Sequence, residues 1–306
     1  MQQFQGRTAV LTGGASGFGL ECARIAAREG MHVVLVDVQA DALAAAAAEI
    51  GALAAPQGGR VLAQRVDVAD AAQMEALAAT VQREFGAPAF VFNNAGVGAG
   101  GLIWEHSVKD WQWVMGVNVW GVVHGIRLFT PMMLAAAAAD PDFQGHIVNT
   151  ASMAGLVNPP NMGVYNASKH AVVSISETLH QDLALVTAQV HAHVLCPYFV
   201  ATGIHRSERN RPAEMHDADA RPTKSQLIAQ AMSDKAIGSG KVSAADVAAK
   251  VFAALRDNQF YIFSHPKALG GVQLRMEDVL QQRNPTDPFQ ERPEVGAQLR
   301  AALRGA

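Results

Sequence analysis

Short apolar runs alternate with longer amphipathic ones along most of this chain, and that alternation predicts its architecture. Residues 8–12, 33–37, 61–66, 89–93, 146–150, 190–196 and 260–263 are brief and rich in β-branched or aromatic side chains, as strands are. Between them, residues 18–29, 40–50, 70–85, 110–138, 164–186 and 244–255 have the length and spacing of helices. The alanine runs at 44–48 and 135–139 are plain helix. Apolar strands separated by helices predict a parallel sheet covered on both faces, a doubly wound α/β fold. Ligands are then expected at the carboxyl ends of the strands.

Two stretches break the alternation. Residues 202–240 turn polar and rich in Arg, Pro and Asp, with Arg209-Asn210-Arg211-Pro212 and Arg221-Pro222 as breakers. A loop of that length inside a domain predicts a lid over the active site. Residues 266–306 follow the last strand as a helical extension, a candidate for subunit contacts. The expected organisation is one domain over residues 1–265, including the lid, followed by that extension.

Bulk properties narrow the function. With 306 residues, half of them hydrophobic, the chain can bury a large core. A formal charge of -3 provides no basic field for nucleic acid or an anionic membrane. The two cysteines, Cys22 and Cys196, suggest neither a disulfide framework nor a metal cluster. The N-terminus has no signal-peptide pattern, and no stretch reads as long and apolar enough to span a bilayer. A cytoplasmic protein is expected. Among eleven histidines, His191-Ala192-His193 places two imidazoles on one strand face, but no Asp, Glu or Cys joins them at ligand spacing, so no metal is expected.

Three clusters carry chemistry. Thr12-Gly13-Gly14-Ala15-Ser16-Gly17-Phe18-Gly19 joins the first strand to the first helix, where glycines let backbone N–H groups approach a pyrophosphate. Asp37 closes the second strand, where a carboxylate accepts ribose hydroxyls and repels a 2′-phosphate. With Ser16 and Val38 where an offsetting arginine is expected, NAD(H) is favoured over NADP(H). Asp67 after the third strand is placed to meet the adenine edge, and Asn93-Asn94-Ala95-Gly96 after the fourth to line the cofactor. Finally, Tyr165 and Lys169 share a helix face at i, i+4. A cation a few ångströms away favours a phenolate by roughly 4 kcal/mol at semi-buried dielectric, enough to bring an ordinary phenol toward working pH.

In that order, these residues resemble the short-chain dehydrogenase/reductase family over roughly residues 5–265. The matching elements are Gly13, Gly17 and Gly19, Asn93-Asn94-Ala95-Gly96, Asn118, Ser152, Tyr165 and Lys169. The resemblance implies a Rossmann-type sheet. It implies Tyr165 as proton carrier and Ser152 as hydrogen-bond partner of the substrate oxygen. Lys169 would tune the tyrosine and bind nicotinamide ribose, and Asn118 would hold a relay water. The implied cofactor set is Gly13, Ser16, Gly17, Phe18, Gly19, Asp37, Asp67, Val68, Asn94, Ala95, Gly96, Tyr165, Lys169, Pro197, Val200 and Thr202, with NAD as cofactor. A homo-oligomer, dimer or tetramer, is implied as well. Tyr198 stands where the family usually has glycine, so its ring is expected to narrow or re-aim the pocket.

The expected activity is hydride transfer between NAD(H) and a bulky, apolar secondary alcohol or ketone. Met153, Pro160, Met162 and Tyr198 are the expected substrate walls, and the small-molecule substrate is the expected partner, with no nucleic acid and no membrane. Of the four tryptophans, Trp104 is the one expected near substrate; Trp111, Trp113 and Trp120 read as packing. Two other readings share the cofactor: a non-catalytic NAD-binding sensor or scaffold, and an epimerase or ene-reductase.

Overall fold

In a computed structural model of the chain, the strands are β1 (Thr8–Thr12), β2 (His32–Asp37), β3 (Val61–Arg65), β4 (Phe90–Asn93), β5 (Gly145–Thr150), β6 (Val190–Cys196) and β7 (Tyr261–Phe263). The helices are α1 (Gly17–Arg28), α2 (Ala40–Ala54), α3 (Ala71–Phe85), α4 (Val108–Met115), α5 (Gly121–Ala139), α6 (Gly163–Val186), α7 (Lys224–Gly238), α8 (Ala244–Asp257), α9 (Gly270–Leu280) and α10 (Pro293–Arg304). The structure describes residues 1, 3–216, 221–238 and 240–304. Parts of the predicted lid (217–220 and 239) and the last two residues of the tail lie outside them.

The strands form one sheet in the order β3-β2-β1-β4-β5-β6-β7, every pair parallel. Central β1, β4 and β5 are buried along their whole length, which is why their sequences read as unbroken apolar runs rather than alternating ones. Edge strand β3 instead leaves Ala63 and Arg65 exposed. Helices α2 and α8 both pack on α1, while α3 packs on α5 and α4 on α6. The strand order reverses between β1 and β4, and the crevice that opens there is the expected ligand position.

The single helix expected over residues 110–138 is three joined segments: α4, a π-helical turn at Gly116–Trp120, and α5. Because they join without a break, Val108–Ala139 is by length and composition able to cross a bilayer, its most apolar 18-residue window having a mean hydropathy of 1.4. That corrects the expectation that no stretch reaches this length. Its inner side lies on the domain through glycines. A Cβ at Gly121 would stand 2.7 Å from Val68 Cγ2, and one at Gly125 1.9 Å from Asn93 Oδ1.

The described residues of the 202–240 segment are largely helical rather than loop-like. They comprise a short turn at Gly203–Asn210, another at Ala213–Met215, and α7. The C-terminal extension, read as a candidate for subunit contacts, folds back over its own chain. Val272 of α9 and Leu269 just before it pack beside Met153 and Leu156, and α10 packs on α7.

At the opposite end of the sheet from the crevice, His146 and His193 are fully buried side by side. The Gln259 carbonyl accepts from His193 Nδ1 (2.7 Å), so His193 Nε2 accepts from His146 Nδ1 (2.9 Å). His191 hydrogen-bonds Asn258 (3.1 Å). Burial pushes His193 down to about 4 and His146 further down, so both are neutral in the folded state. In the unfolded chain they titrate near 6.5. Protons therefore favour the unfolded state as pH falls from about 6.5 to about 4, and stability is lost across that window. His193 alone accounts for about 2 kcal/mol at pH 5, or roughly 4–8 °C in Tm. Thermal unfolding at pH 7.5 and pH 5 checks this: His193→Asn should lose clearly less Tm on acidification than the wild type.

Candidate active site

The crevice is stitched by Thr12 and Asn94. Thr12 Oγ1 donates to the Phe92 carbonyl (3.2 Å) and accepts from the N–H groups of Asn94 (2.9 Å) and Ala95 (3.1 Å). Asn94 Nδ2 returns a bond to the Thr12 carbonyl (3.0 Å), and its Oδ1 accepts from Thr150 Oγ1 (3.3 Å). Below it, Asn93 Nδ2 donates to Asn149 Oδ1 (2.8 Å) across β4 and β5, and Asn149 Nδ2 donates to Ser176 Oγ (3.0 Å) on α6.

The glycine loop has the geometry of an anion cradle. Gly13 and Gly17 hold positive φ (64° and 53°), which only glycine adopts without cost. A Cβ on Gly19 would stand 2.2 Å from the Gly13 carbonyl, so only glycine lets α1 start so close to the loop. Ser16 N-caps α1, and Phe18 packs against the core. Thr202 lies over the loop, its Cγ2 3.6 Å from where a Gly17 Cβ would be, so the segment leaving β6 folds across the cradle.

Asp37 is buried. Its two oxygens accept from the N–H groups of Ala15 (3.1 Å) and Gln39 (3.0 Å), tying β2 to the glycine loop. Each oxygen keeps a second lone pair for a ribose hydroxyl. The expectation that no arginine neighbours it is corrected. Parallel pairing sets Arg65 of β3 in register with Asp37, and Arg65 Nε donates to the Val38 carbonyl (3.0 Å). Asp67 caps its own turn by accepting from Ala69 N–H (2.9 Å). Gly13, Ser16, Gly17, Phe18, Asp37, Asp67, Val68, Asn94, Ala95, Gly96, Pro197, Val200 and Thr202 all line one cleft of about 2380 Å³. Gly19 stands behind it and shapes the loop. The residues present therefore fit a dinucleotide with its pyrophosphate over α1.

Ser152, Tyr165 and Lys169 line the same cleft. Ser152 leaves β5 and accepts from Ala154 N–H (3.1 Å), while its hydroxyl reaches the Pro197 carbonyl (3.4 Å). The Tyr165 phenol lies near it. Lys169 Nζ lies 5.6 Å from the Tyr165 ring centre and donates to the Thr150 carbonyl (2.8 Å). Asn118, on the π-helical turn, pairs with both the N–H (2.8 Å) and the carbonyl (3.0 Å) of Val97 and donates to Ser168 (3.0 Å). A Cβ on Gly96 would meet Asn118 Oδ1 (3.4 Å) and Lys169 Nζ (3.5 Å), so these two groups flank Gly96.

The electrostatic expectation for Tyr165 needs correction. Burial pushes the phenol up to about 12, against the smaller opposing effect of the nearby Ser152 hydroxyl. Burial also pushes the Lys169 ammonium down to about 8. Sequence spacing set the amine one turn from the phenol but carried no information on desolvation, which is the largest influence on both groups.

Met153, Pro160, Met162 and Tyr198 line the cleft too. The Tyr198 ring turns toward the exit of β7. Its N–H donates to Ser264 Oγ (2.9 Å), and the ring packs on Phe199 (4.5 Å) and His265 (5.8 Å). Trp104 is 76% exposed and outside the cleft lining, and Trp120 is exposed as well. Trp113 packs inside under the Arg211 guanidinium (5.1 Å). Sequence reasoning missed Asn161, Ser225 and His265, all near the cleft. Asn161 stands between Pro160 and Met162, both recognised as wall residues, but its backbone has a positive φ (65°) that no local motif announces.

A model of the family described as short chain dehydrogenase matches residues 7–213. The chain is 34% identical over 269 residues to a CLA biosynthesis dehydrogenase/reductase of Lactiplantibacillus plantarum, covering 87% of this chain and 91% of that one. It is 30% identical over 304 residues to a C alpha-dehydrogenase of Sphingobium sp. (strain NBRC 103272 / SYK-6), covering 99% and 94%. Among solved structures, a short chain dehydrogenase/reductase from Burkholderia phymatum in complex with NAD superposes with a TM-score of 0.89 at 49% identity, covering 94% of this chain and 99% of that one. With this match, the crevice at the β1–β4 reversal and the Ser152, Tyr165 and Lys169 cluster, the chain belongs to the short-chain dehydrogenase family.

Proposed function

We propose that the protein moves a hydride between NAD(H) and a bulky, apolar secondary alcohol or its ketone. One observation carries this reading: Ser152, Tyr165 and Lys169 stand together on the wall of the cleft that also holds the glycine loop and Asp37. A sensor needs the cradle but has no use for a buried phenol beside a buried amine. The apolar walls Met153, Pro160 and Met162 suit an apolar substrate, and the C alpha-dehydrogenase relative lends weight to an alcohol carbon as the reacting centre.

The bound dinucleotide supplies the hydride acceptor or donor, with a positive charge on its oxidised ring. The chain supplies the rest. Tyr165 exchanges a proton with the substrate oxygen, and Ser152 hydrogen-bonds that oxygen where charge develops. Lys169 keeps a cation behind the phenol, seated by the Thr150 carbonyl, and Asn118 holds the neighbouring backbone in place. Asp37 takes the adenosine ribose, which favours NAD(H). Arg65 stands in register with it and keeps its charge while its Nε donates to the Val38 carbonyl, so the preference rests on the Asp37 carboxylate alone.

A panel of apolar secondary alcohols, followed by nicotinamide absorbance, tests the activity. Tyr165→Phe should lower kcat by at least about 10²-fold with NADH affinity unchanged. Tight NADH binding with no turnover on the panel would favour the sensor reading instead. For cofactor choice, Asp37→Asn keeps the shape and removes the charge. The ratio of kcat/KM with NAD to that with NADP should fall roughly tenfold, equivalent to about 1.4 kcal/mol. A wild type that prefers NADP would refute the role given to Asp37.

A further inference from the structure

The first turn of α7 forms a joint with two other parts of the cleft wall. Ser225 is 1% exposed and bonds in several directions. Its Oγ accepts from Leu102 N–H (2.9 Å) and donates to Glu105 Oε2 (2.6 Å), both in the segment after β4. Its carbonyl accepts from Asn161 Nδ2 (3.0 Å), in the turn that leads into α6. Backbone contact closes the triangle: Gly101 N–H donates to the Asn161 carbonyl (2.9 Å), and Gly101 forms a parallel bridge with Met162.

Missing side chains make the joint tight. A Cβ on Gly100 would stand 2.5 Å from Ala229 Cβ, and one on Gly101 2.8 Å from Gln226 Cγ, so α7 rests directly on bare backbone. A Cβ on Gly163 would stand 2.6 Å from Ile103 Cγ1, so the start of α6 presses on the same segment. Asn161, buried and at φ 65°, holds a left-handed conformation that asparagine adopts more readily than other side-chain-bearing residues. Its amide bond to the Ser225 carbonyl ties that turn to α7. Met162 then N-caps α6, its carbonyl accepts from Asn166 N–H (2.8 Å), and Tyr165 lies in that first turn.

We propose that Ser225 is a positioning residue: by docking α7 it sets the Asn161 turn, and through it the first turn of α6 and the Tyr165 hydroxyl. Covering the substrate and aligning the proton carrier are then one event. The inference rests on the reading of Tyr165 as proton carrier, and it extends that reading to a residue that touches neither substrate nor cofactor.

The test compares Ser225→Ala and Asn161→Gly with wild type in steady-state turnover of an apolar secondary alcohol, NADH affinity, Tm, and amide hydrogen exchange at Leu102 and Asn166. Asn161→Gly keeps a backbone that accepts positive φ while deleting the anchor. Ser225→Ala removes the hydroxyl bonds that dock α7 on Leu102 and Glu105 while keeping the carbonyl that Asn161 uses, and Asn161→Gly removes the amide anchor itself; each should lower kcat about tenfold, with NADH affinity unchanged and exchange at Asn166 faster. A merely structural role would lower Tm or raise KM and leave kcat alone; either result overturns the proposal. Unchanged exchange at Asn166 in Ser225→Ala also overturns it. If wild type turns over no alcohol on the panel, the dehydrogenase reading falls, and the exchange measurement still decides whether docking of α7 sets the first turn of α6.

Discussion

A buried amine seated on a backbone carbonyl is the constraint on which the rest of the site depends. Lys169 is 2% exposed, and its Nζ donates to the carbonyl of Thr150, the last residue of β5. An ammonium out of water is costly unless it is hydrogen-bonded, so this contact determines how α6 lies across the end of the sheet. The fit is close enough that a Cβ on Gly155 would stand 2.5 Å from the Lys169 carbonyl. Moving the amine would mean moving the helix that carries Tyr165. Burial then acts in opposite directions on the pair, raising the phenol to about 12 and lowering the amine to about 8. Added positive charge beside them would draw both proton affinities down, the phenol toward its anion.

From that seat a line of hydrogen bonds crosses the carboxyl end of the sheet. Thr150 carries Lys169 through its carbonyl and reaches Asn94 through its hydroxyl, and Asn94 pairs with Thr12 at the mouth of the glycine loop. The cofactor cradle and the proton-carrying wall are thus parts of one polar framework. Neutral side chains bear most of it, which spares the crevice additional buried charge.

The outer wall comes from distant sequence. The segment after β6, α7, and the C-terminal helices together roof the cleft, and α7 lies on glycines at 100 and 101 where no side chain intervenes. The roof confines the substrate and, through Ser225 and Asn161, bears on the turn ahead of Tyr165. Among these elements α7 has little amphipathic period of its own, so its helical form comes from docking.

The doubly wound sheet was legible because buried parallel strands must be apolar along their length, and the glycine loop because only glycine tolerates its backbone. The grouping of Ser152, Tyr165 and Lys169 followed from motif order and helix period. Less was legible where neighbours are distant in sequence. Arg65 comes into register with Asp37 only through the β2–β3 pairing. The π-helical turn at Gly116–Trp120 makes α4 and α5 one long apolar stretch. The fold-back of the C-terminal helices, the neutral His146–His193 pair and the direction of the Tyr165 shift all depend on what surrounds each group. Local sequence determined backbone form and the residue types at the site, since those obey short-range sterics and periodicity. Tertiary structure alone decided burial, and with it proton affinity, because desolvation is a property of the packed surroundings rather than of the residue.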